Sequence, residues 1–436
     1  MKKILFLDRN YCYRFIKSDK YEGIFAAVTP KTKKMLLDLG LNVVGCFEEE
    51  YDSLPIADYP SNYLLYSYDS DRFLYGYSYN KRREILGKEI SFWERILDEH
   101  KPDLIVNELC TMELTEVLYI EAKKRGIQYH TSLGLFPRKV YWLETPFNSL
   151  ISKERWDSIK LSEELLKKGQ ELYDNVRVKH EKPLYSVVKR RSLLRDFLSA
   201  FKYYVTQKTL SICRRGFIYE QYVGQSRAWL QRLFARLFGR YDSLECVNKS
   251  DTEIVFFPLH FEPEATISYF VEFYMRQEYV INQIAHDLGQ KQILVVKEHP
   301  QQPGMLLTKR FQRLKNQCPN ILYLSSNISS YDMFKSTDLV VTLVGTAGYE
   351  AMILGIPTIV LGDVFFRACP SVTYCASFRE LKDVIRNKKY NMPKKEEIIP
   401  FLAKFAALQT EGSPSINDVE DKENLENVKK TIESFL

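Results

Sequence analysis

The sequence lacks several of the features that would place it quickly. Its eight cysteines (12, 46, 110, 213, 246, 318, 369 and 375) never form a C-x-x-C pair. That argues against a zinc ribbon or a dithiol redox site and fits a reducing cytosol. No run approaches 18 apolar residues, so no transmembrane helix is expected. At the N-terminus only Ile4 to Leu7 are apolar before Asp8, which is too short for a signal peptide and reads as a buried strand. No Gly-x-Ser-x-Gly elbow, Walker A loop or complete G-x-G-x-x-G is present. No Cys/His cluster has ligand spacing, so neither a metal nor any other cofactor is expected. Asp69-Ser70-Asp71 imitates a metal-chelating D-x-D, but it sits in a Tyr-rich polar stretch rather than after a strand and reads as solvated loop. Acids are scarce between Val176 and Arg240, where three face 15 Lys or Arg.

What remains is the composition of a globular protein, 45% hydrophobic and 27% charged. Its 436 residues exceed one ordinary core and imply two domains with additional material. Residues 1–150 alternate strands and helices: a strand at Ile4–Leu7, a helix over Lys31–Leu39, a strand at Asn42–Val44, a helix over Ile90–His100, a strand at Asp103–Val106, a helix over Glu113–Arg125 and a strand at Ile127–His130. This rhythm predicts a parallel sheet. Residues 151–250 read as a helical, basic insertion. Within it, Trp229, Leu230, Leu233, Phe234, Leu237 and Phe238 share one helical face and Arg232, Arg236 and Arg240 another. An uneven charge of this kind suits an anionic membrane surface contacted through 176–240; docking of the apolar face on the rest of the protein is the equal alternative, and no nucleic-acid recognition module is legible.

From 251 to 400 the α/β rhythm returns. Five strands are expected, near Ile254, Ile293, Ile321, Leu339 and Thr358, with one long helix over Ile267–Leu288 after the first. Residues 401–436 read as a tail with a closing helix. In an open parallel sheet ligands bind beyond the carboxyl ends of the strands, and the chemically useful residues fall there. They are His260, Glu262 and Glu264; Lys297, Glu298 and His299; Ser325 and Ser326; Gly345 and Thr346; and Gly362 and Asp363. The turn Gly345-Thr346-Ala347-Gly348-Tyr349-Glu350-Ala351 suits a phosphate: its glycines permit close approach, Thr346 is expected to cap the next helix, and that helix begins with unpaired N–H groups at its positive end. Pro300 stiffens His299, which is placed to donate to a phosphate or act as an acid, and Lys297 shares its strand face. Glu262 and Glu264 suit sugar hydroxyls. In the first domain Asp8 and Glu108 end strands and are candidates for a base or nucleophile, Glu108 preferred.

The segments Phe257–Thr266, Val295–Pro300, Thr342–Ala351 and Leu354–Pro357 resemble, in order and spacing, the bacterial capsule polysaccharide biosynthesis proteins, over about 110 of the 436 residues. That family includes retaining β-Kdo transferases using CMP-Kdo on a GT-B fold. The resemblance implies two Rossmann-like domains facing a cleft, with the donor nucleotide on the C-terminal one. There His299 and Lys297 would meet its phosphate, Thr346 and neighbouring N–H groups would add contacts, and the N-terminal domain would receive the acceptor.

The expectation is therefore a cytoplasmic, membrane-peripheral glycosyltransferase of surface polysaccharide assembly. Its donor would be a nucleotide-activated sugar, most simply a CMP-linked acidic sugar, and its acceptor a glycan or lipid-linked glycan. The rivals are a nucleotide-sugar 2-epimerase of the same fold and a non-catalytic sugar- or lipid-binding assembly factor.

Overall fold

In the computed structural model the first apolar run becomes strand β1 (Lys2–Asp8), buried from Ile4 onward. Leu5 and Leu7 enter one core, Ile4 and Phe6 another, as a parallel strand covered by helices on both faces requires. The structure describes residues 1–9, 11–64, 74, 77–136, 139–179, 198, 201, 205, 232–247, 251–262, 265–271 and 276–436.

After β1 come β2 (Tyr21–Ala27), α1 (Pro30–Asp38), β3 (Asn42–Cys46), α2 (Phe47–Glu50), α3 (Tyr79–His100), β4 (Leu104–Asn107), α4 (Glu113–Lys124), β5 (Gln128–Phe136) and β6 (Lys139–Leu143). Helices α5 (Lys153–Ser158) and α6 (Glu163–Lys179) precede a second series. It runs β7 (Glu253–Pro258), α7 (Ala265–Tyr269), α8 (Gln277–Asp287), β8 (Gln292–Lys297), α9 (Lys309–Gln317), β9 (Ile321–Leu324), α10 (Ser330–Phe334), β10 (Leu339–Thr342), α11 (Thr346–Leu354), β11 (Thr358–Val360), β12 (Val372–Tyr374), α12 (Phe378–Arg386) and α13 (Lys395–Ala407). Strand β13 (Gln409–Glu411) and helix α14 (Lys422–Glu433) follow.

Two units result. Met1–Phe147 and Gln409–Leu436 contribute to the first, Asn148–Phe201 and Ser226–Leu408 to the second. The first sheet has the order β13-β6-β5-β4-β1-β2-β3, with β1 to β5 parallel and β6 and β13 antiparallel. The second, β12-β11-β10-β7-β8-β9, is parallel throughout. Both contain the Rossmann order, in which the strand sequence reverses beside the first strand. That switch point lies between β1 and β4 in one unit and between β7 and β10 in the other. The chain thus has two Rossmann-like α/β units.

Several local expectations change. The second sheet has six strands rather than five, because Val372–Tyr374 adds β12 beside β11. The long helix over Ile267–Leu288 is broken between α7 and α8: the Phe270 carbonyl accepts from the Asp363 N–H at 2.9 Å, so it does not propagate a helix. Helix α3 starts at Tyr79, well before Ile90, with the Ser78 hydroxyl accepting from the Lys81 N–H. Its early turns look polar in sequence, yet Arg82, Lys88 and Glu89 are buried, and Arg82 pairs with Glu113 at 3.2 Å. The tail completes the first unit: β13 pairs with β6, and Val428 and Ile432 of α14 join the core under Ile4 and Phe6. Among the described residues no helix is long and apolar enough to cross a membrane.

Candidate functional site

The second switch point is built by the loops that leave β7 and β10. Beyond β7, His260 is buried and its Nε2 lies 3.3 Å from the Thr342 hydroxyl at the end of β10. The same hydroxyl accepts from the Gly345 N–H at 3.2 Å. A Cβ at Gly345 would stand 3.0 Å from both the His260 ring and the Thr342 hydroxyl, so glycine permits this close approach. Gly345 itself is the N-cap of α11 and supplies no side-chain bond; Thr346 is the first helical residue, not the cap expected of it. The first turn of α11 consequently begins without a side-chain acceptor, and Gly345, Thr346 and Ala347 are partly exposed. A helix end of this kind presents N–H groups and positive potential to an anion. Gly348 is buried, and its N–H turns back to the Gly345 carbonyl at 2.9 Å.

Two buried glutamines hold the His260 loop. The Gln277 amide accepts from the His260 N–H at 2.8 Å and donates to the His260 carbonyl at 3.1 Å. Gln302 does the same for Glu262, at 2.8 and 2.5 Å. Each side chain thereby substitutes for a neighbouring strand and satisfies both backbone groups of one loop residue. The Glu262 carboxylate meets Arg310 at 2.8 Å and Gln277 at 3.2 Å, so it is engaged in this scaffold and is not an open sugar-hydroxyl acceptor. Glu264 lies outside the described residues.

Strand β8 delivers Lys297, Glu298 and His299. Lys297 is buried, and its ammonium donates to the Glu298 carbonyl at 3.3 Å. The His299 Nδ1 accepts from the Gln301 N–H at 3.2 Å, which assigns the ring proton to Nε2. Burial, and then the nearby Lys297 ammonium, push the His299 imidazole down to about 4. Burial, reinforced by His299, pushes His260 down to about 3. Both rings are neutral near pH 7 and serve as hydrogen-bonding groups rather than cations. An arriving phosphate would reverse part of that shift by stabilising the protonated rings.

Glu298, which the sequence set on the rim without a role, organises the loop that carries His299. Its carboxylate is buried and accepts from Tyr241 Oη at 2.8 Å, Gly304 N–H at 3.0 Å and Leu306 N–H at 2.9 Å. Ser325 and Ser326 follow β9, two strands from β7; the Ser325 hydroxyl accepts from Asn327 N–H at 3.2 Å and so closes its own turn. Glu350 is buried in α11, where its charge raises the Tyr331 phenol's pKa after the larger effect of burial. It therefore belongs to the packed side of the helix rather than its anion-facing end.

In the first unit, Asp8 and Glu108 flank the switch point as their strand positions predict. Each is held by an arginine. The buried Asp8 carboxylate meets Arg14 at 2.6 Å, and burial pushes it up to about 7 against the pull of that guanidinium. Glu108, also buried, pairs with Arg9 and accepts from the Thr111 hydroxyl at 2.6 Å. No sequence pattern marks either arginine partner, because both follow from how the loop after β1 folds back. Asp69, Ser70 and Asp71 lie outside the described residues, as do Trp229, Leu230 and most of the basic segment. The described helix 232–238 departs from its expected faces. Arg232 and Leu233 are buried, while Phe234, Leu237 and Phe238 are 56%, 56% and 84% exposed.

Residues 219–394 match the family of capsule polysaccharide biosynthesis proteins. The resemblance read from the sequence thus holds over the segment that contains this rim. No curated protein matches the chain. Among solved structures, the chain is similar to the KpsC β-Kdo 2,7-transferase of Thermosulfurimonas dismutans at 12% identity, with 98% of this chain and 100% of that one covered and a TM-score of 0.43. The β-Kdo 2,4-transferase of the same organism follows at 11% identity, with 72% and 82% covered and a TM-score of 0.34. A UDP-GlcNAc 2-epimerase from Neisseria meningitidis, bound to UDP-GlcNAc, covers 99% of this chain and 98% of its own at 12% identity and a TM-score of 0.25. Likenesses this distant carry no function across, and the α/β class rests on the two sheets described above.

Proposed function

We propose, from the match of residues 219–394 to capsule polysaccharide biosynthesis proteins, that this protein is a glycosyltransferase of bacterial surface polysaccharide assembly. Its donor is a nucleotide-activated sugar, and we favour a CMP-linked acidic sugar such as CMP-Kdo. Its acceptor is a glycan or a lipid-linked glycan. The observation that carries the reading is the convergence of His260, Lys297, His299, Thr342 and the N-terminus of α11 on one switch point. In this reading the Nε2–H of His299 and the first-turn N–H groups of α11 donate to the donor phosphate, and the Lys297 ammonium supplies charge. Together they neutralise the negative charge that grows on the leaving nucleotide as the glycosidic bond breaks. His260, locked by Gln277, sets the position of Thr342 and Gly345 beside it. We assign the base or nucleophile to the first unit, to Glu108 or Asp8, each poised by its arginine. The basic segment 176–240 holds the enzyme peripherally at the inner face of the cell membrane.

A thermal-shift series with CMP, CDP, UDP and GDP tests the donor. A ligand at 100 times its dissociation constant adds about 2.7 kcal/mol of stability. The expected result is stabilisation by CMP that is lost in His299→Ala. Stabilisation by UDP alone, with interconversion of a free UDP-sugar and no transfer, would favour a 2-epimerase instead.

A further inference from the structure

Helix 232–238 has one side fastened to the loop that carries His299 and another turned to solvent. The fastening is close. Gly304 adopts a left-handed φ of +89°, and a Cβ there would stand 2.5 Å from the Arg232 carbonyl and 2.6 Å from the Arg236 side chain. Only a glycine lets loop and helix meet so tightly. Just past the helix, a Cβ on Gly239 would lie 3.0 Å from Leu307, and Tyr241 donates to Glu298 at 2.8 Å. Glu298 in turn holds the N–H groups of Gly304 and Leu306. The brace therefore runs from the helix through Gly304, Tyr241 and Glu298 to the residue beside His299.

The outward side carries Phe234, Leu237 and Phe238, a contiguous i, i+3, i+4 apolar set. Aromatic residues this exposed need a reason. Around them the chain is strongly basic, with Arg236 and Arg240 on the same stretch and 15 Lys or Arg against three acids from Val176 to Arg240. A second copy docking through the same segment would bring the same positive charge against this surface and be repelled. An anionic lipid surface complements both properties, taking the apolar side chains among its acyl chains and the arginines at its headgroups.

We infer that Phe234, Leu237 and Phe238 are the side chains this protein inserts into an anionic lipid surface, and that insertion stiffens the His299 loop through the Gly304–Glu298–Tyr241 brace. The inference rests on the membrane-peripheral reading above and adds to it the inserted residues and their link to the donor site. Anything that orders the helix orders the loop packed on it, and by linkage the loop's ligand favours the docked helix.

The test uses the full-length protein and vesicles of phosphatidylcholine with or without phosphatidylglycerol. Cosedimentation is expected only with phosphatidylglycerol and is expected to weaken as salt rises. The triple substitution Phe234→Ser, Leu237→Ser, Phe238→Ser replaces exposed residues, should leave the melting temperature unchanged, and should weaken vesicle binding roughly tenfold or more. Hydrogen exchange of the Gly304 and Leu306 amides should slow when vesicles bind. Glu298→Gln should keep vesicle binding and lose that slowing. Undiminished binding by the triple variant overturns the assignment of the inserted residues, and binding without slowed exchange overturns the brace. A dimer that the triple substitution dissolves would identify a second copy as the occupant and equally overturn the inference. None of these outcomes depends on nucleotide, so failure of the donor reading would show separately, as absent stabilisation by CMP without vesicles.

Discussion

Beyond β1 and β4, the carboxylates of Asp8 and Glu108 each lie against an arginine; beyond β7, β8 and β10, the groups are two neutral imidazoles, the Lys297 ammonium, a threonine hydroxyl and a helix N-terminus. Both places are the switch point of a Rossmann-ordered sheet. Topology alone therefore fixes where a ligand would sit, and the side chains fix its charge. The first rim is made of opposite charges already balanced within the protein. The second ties its carboxylates to supporting groups, Glu262 to Arg310 and Glu298 to Tyr241 and backbone N–H groups, so the two imidazoles and the helix N-terminus are left to meet an incoming anion.

The largest effect expected from this contrast is on stability at the first rim. At pH 9, above the value of about 7 at which Asp8 titrates, Arg14→Ala strands the buried Asp8 carboxylate and should cost about 3–5 kcal/mol in denaturant melts, part of it recovered by lowering the pH or by adding Asp8→Asn. A loss under 1 kcal/mol would mean that Asp8 is not held as an ion pair. At the second rim the large effect should fall on function instead. His299→Ala is expected to lower turnover about 10²–10³-fold while leaving the melting temperature nearly unchanged. Intact turnover in that variant removes His299 from the site.

A third, smaller effect is pH dependence. His260 titrates near 3 in the folded protein and near its ordinary 6.5 when unfolded. Below 6.5 the unfolded chain takes up a proton that the folded chain refuses, so stability falls as the pH falls. From pH 6.5 to 5 the loss should be about 2 kcal/mol from this residue. His260→Gln should flatten that slope, and an unchanged slope would assign the acid sensitivity elsewhere. Gly345→Ala should act more weakly: its φ of −74° suits alanine, but its Cβ presses on His260 and Thr342. Nucleotide affinity should drop about 3–10-fold, read by titration. The smallest signal is local. The amides of His260 and Glu262, though in a loop, should exchange with solvent nearly as slowly as those of β7, and Gln277→Ala should speed His260.

The sequence made the strands of the second unit legible because fully buried parallel strands read as unbroken apolar runs, as at Leu294–Val296 and Leu339–Val341. It did not reveal β2, whose Glu22-Gly23 interrupts the pattern, or β12 and β13, which are three residues each and, unlike the fully buried β11, only partly buried, so they form no apolar run. The rim was legible for the same reason as the strands, since their ends locate it. Its supports were not. Gln277 and Gln302 are uncharged amides acting on backbone 17 and 40 residues away, and no local pattern marks them. Arg9 and Arg14 stand near Asp8 in sequence, but only the folded loop shows which carboxylate each one serves.

One consequence of β13 and α14 concerns the order in which this chain can fold. The first unit begins at Met1 yet is completed by residues 409–436, which follow the entire second unit. As the chain leaves the ribosome, the face of the sheet that bears Ile4 and Phe6 has no Val428 or Ile432 to cover it until the whole second unit and helix α14 have been made. During that interval the first unit presents an open apolar face and an unpaired β6 edge, an invitation to chaperones and to misassembly. A fragment ending at Phe147 would be caught permanently in that state, whereas the second unit has all its strands as soon as β12 is made.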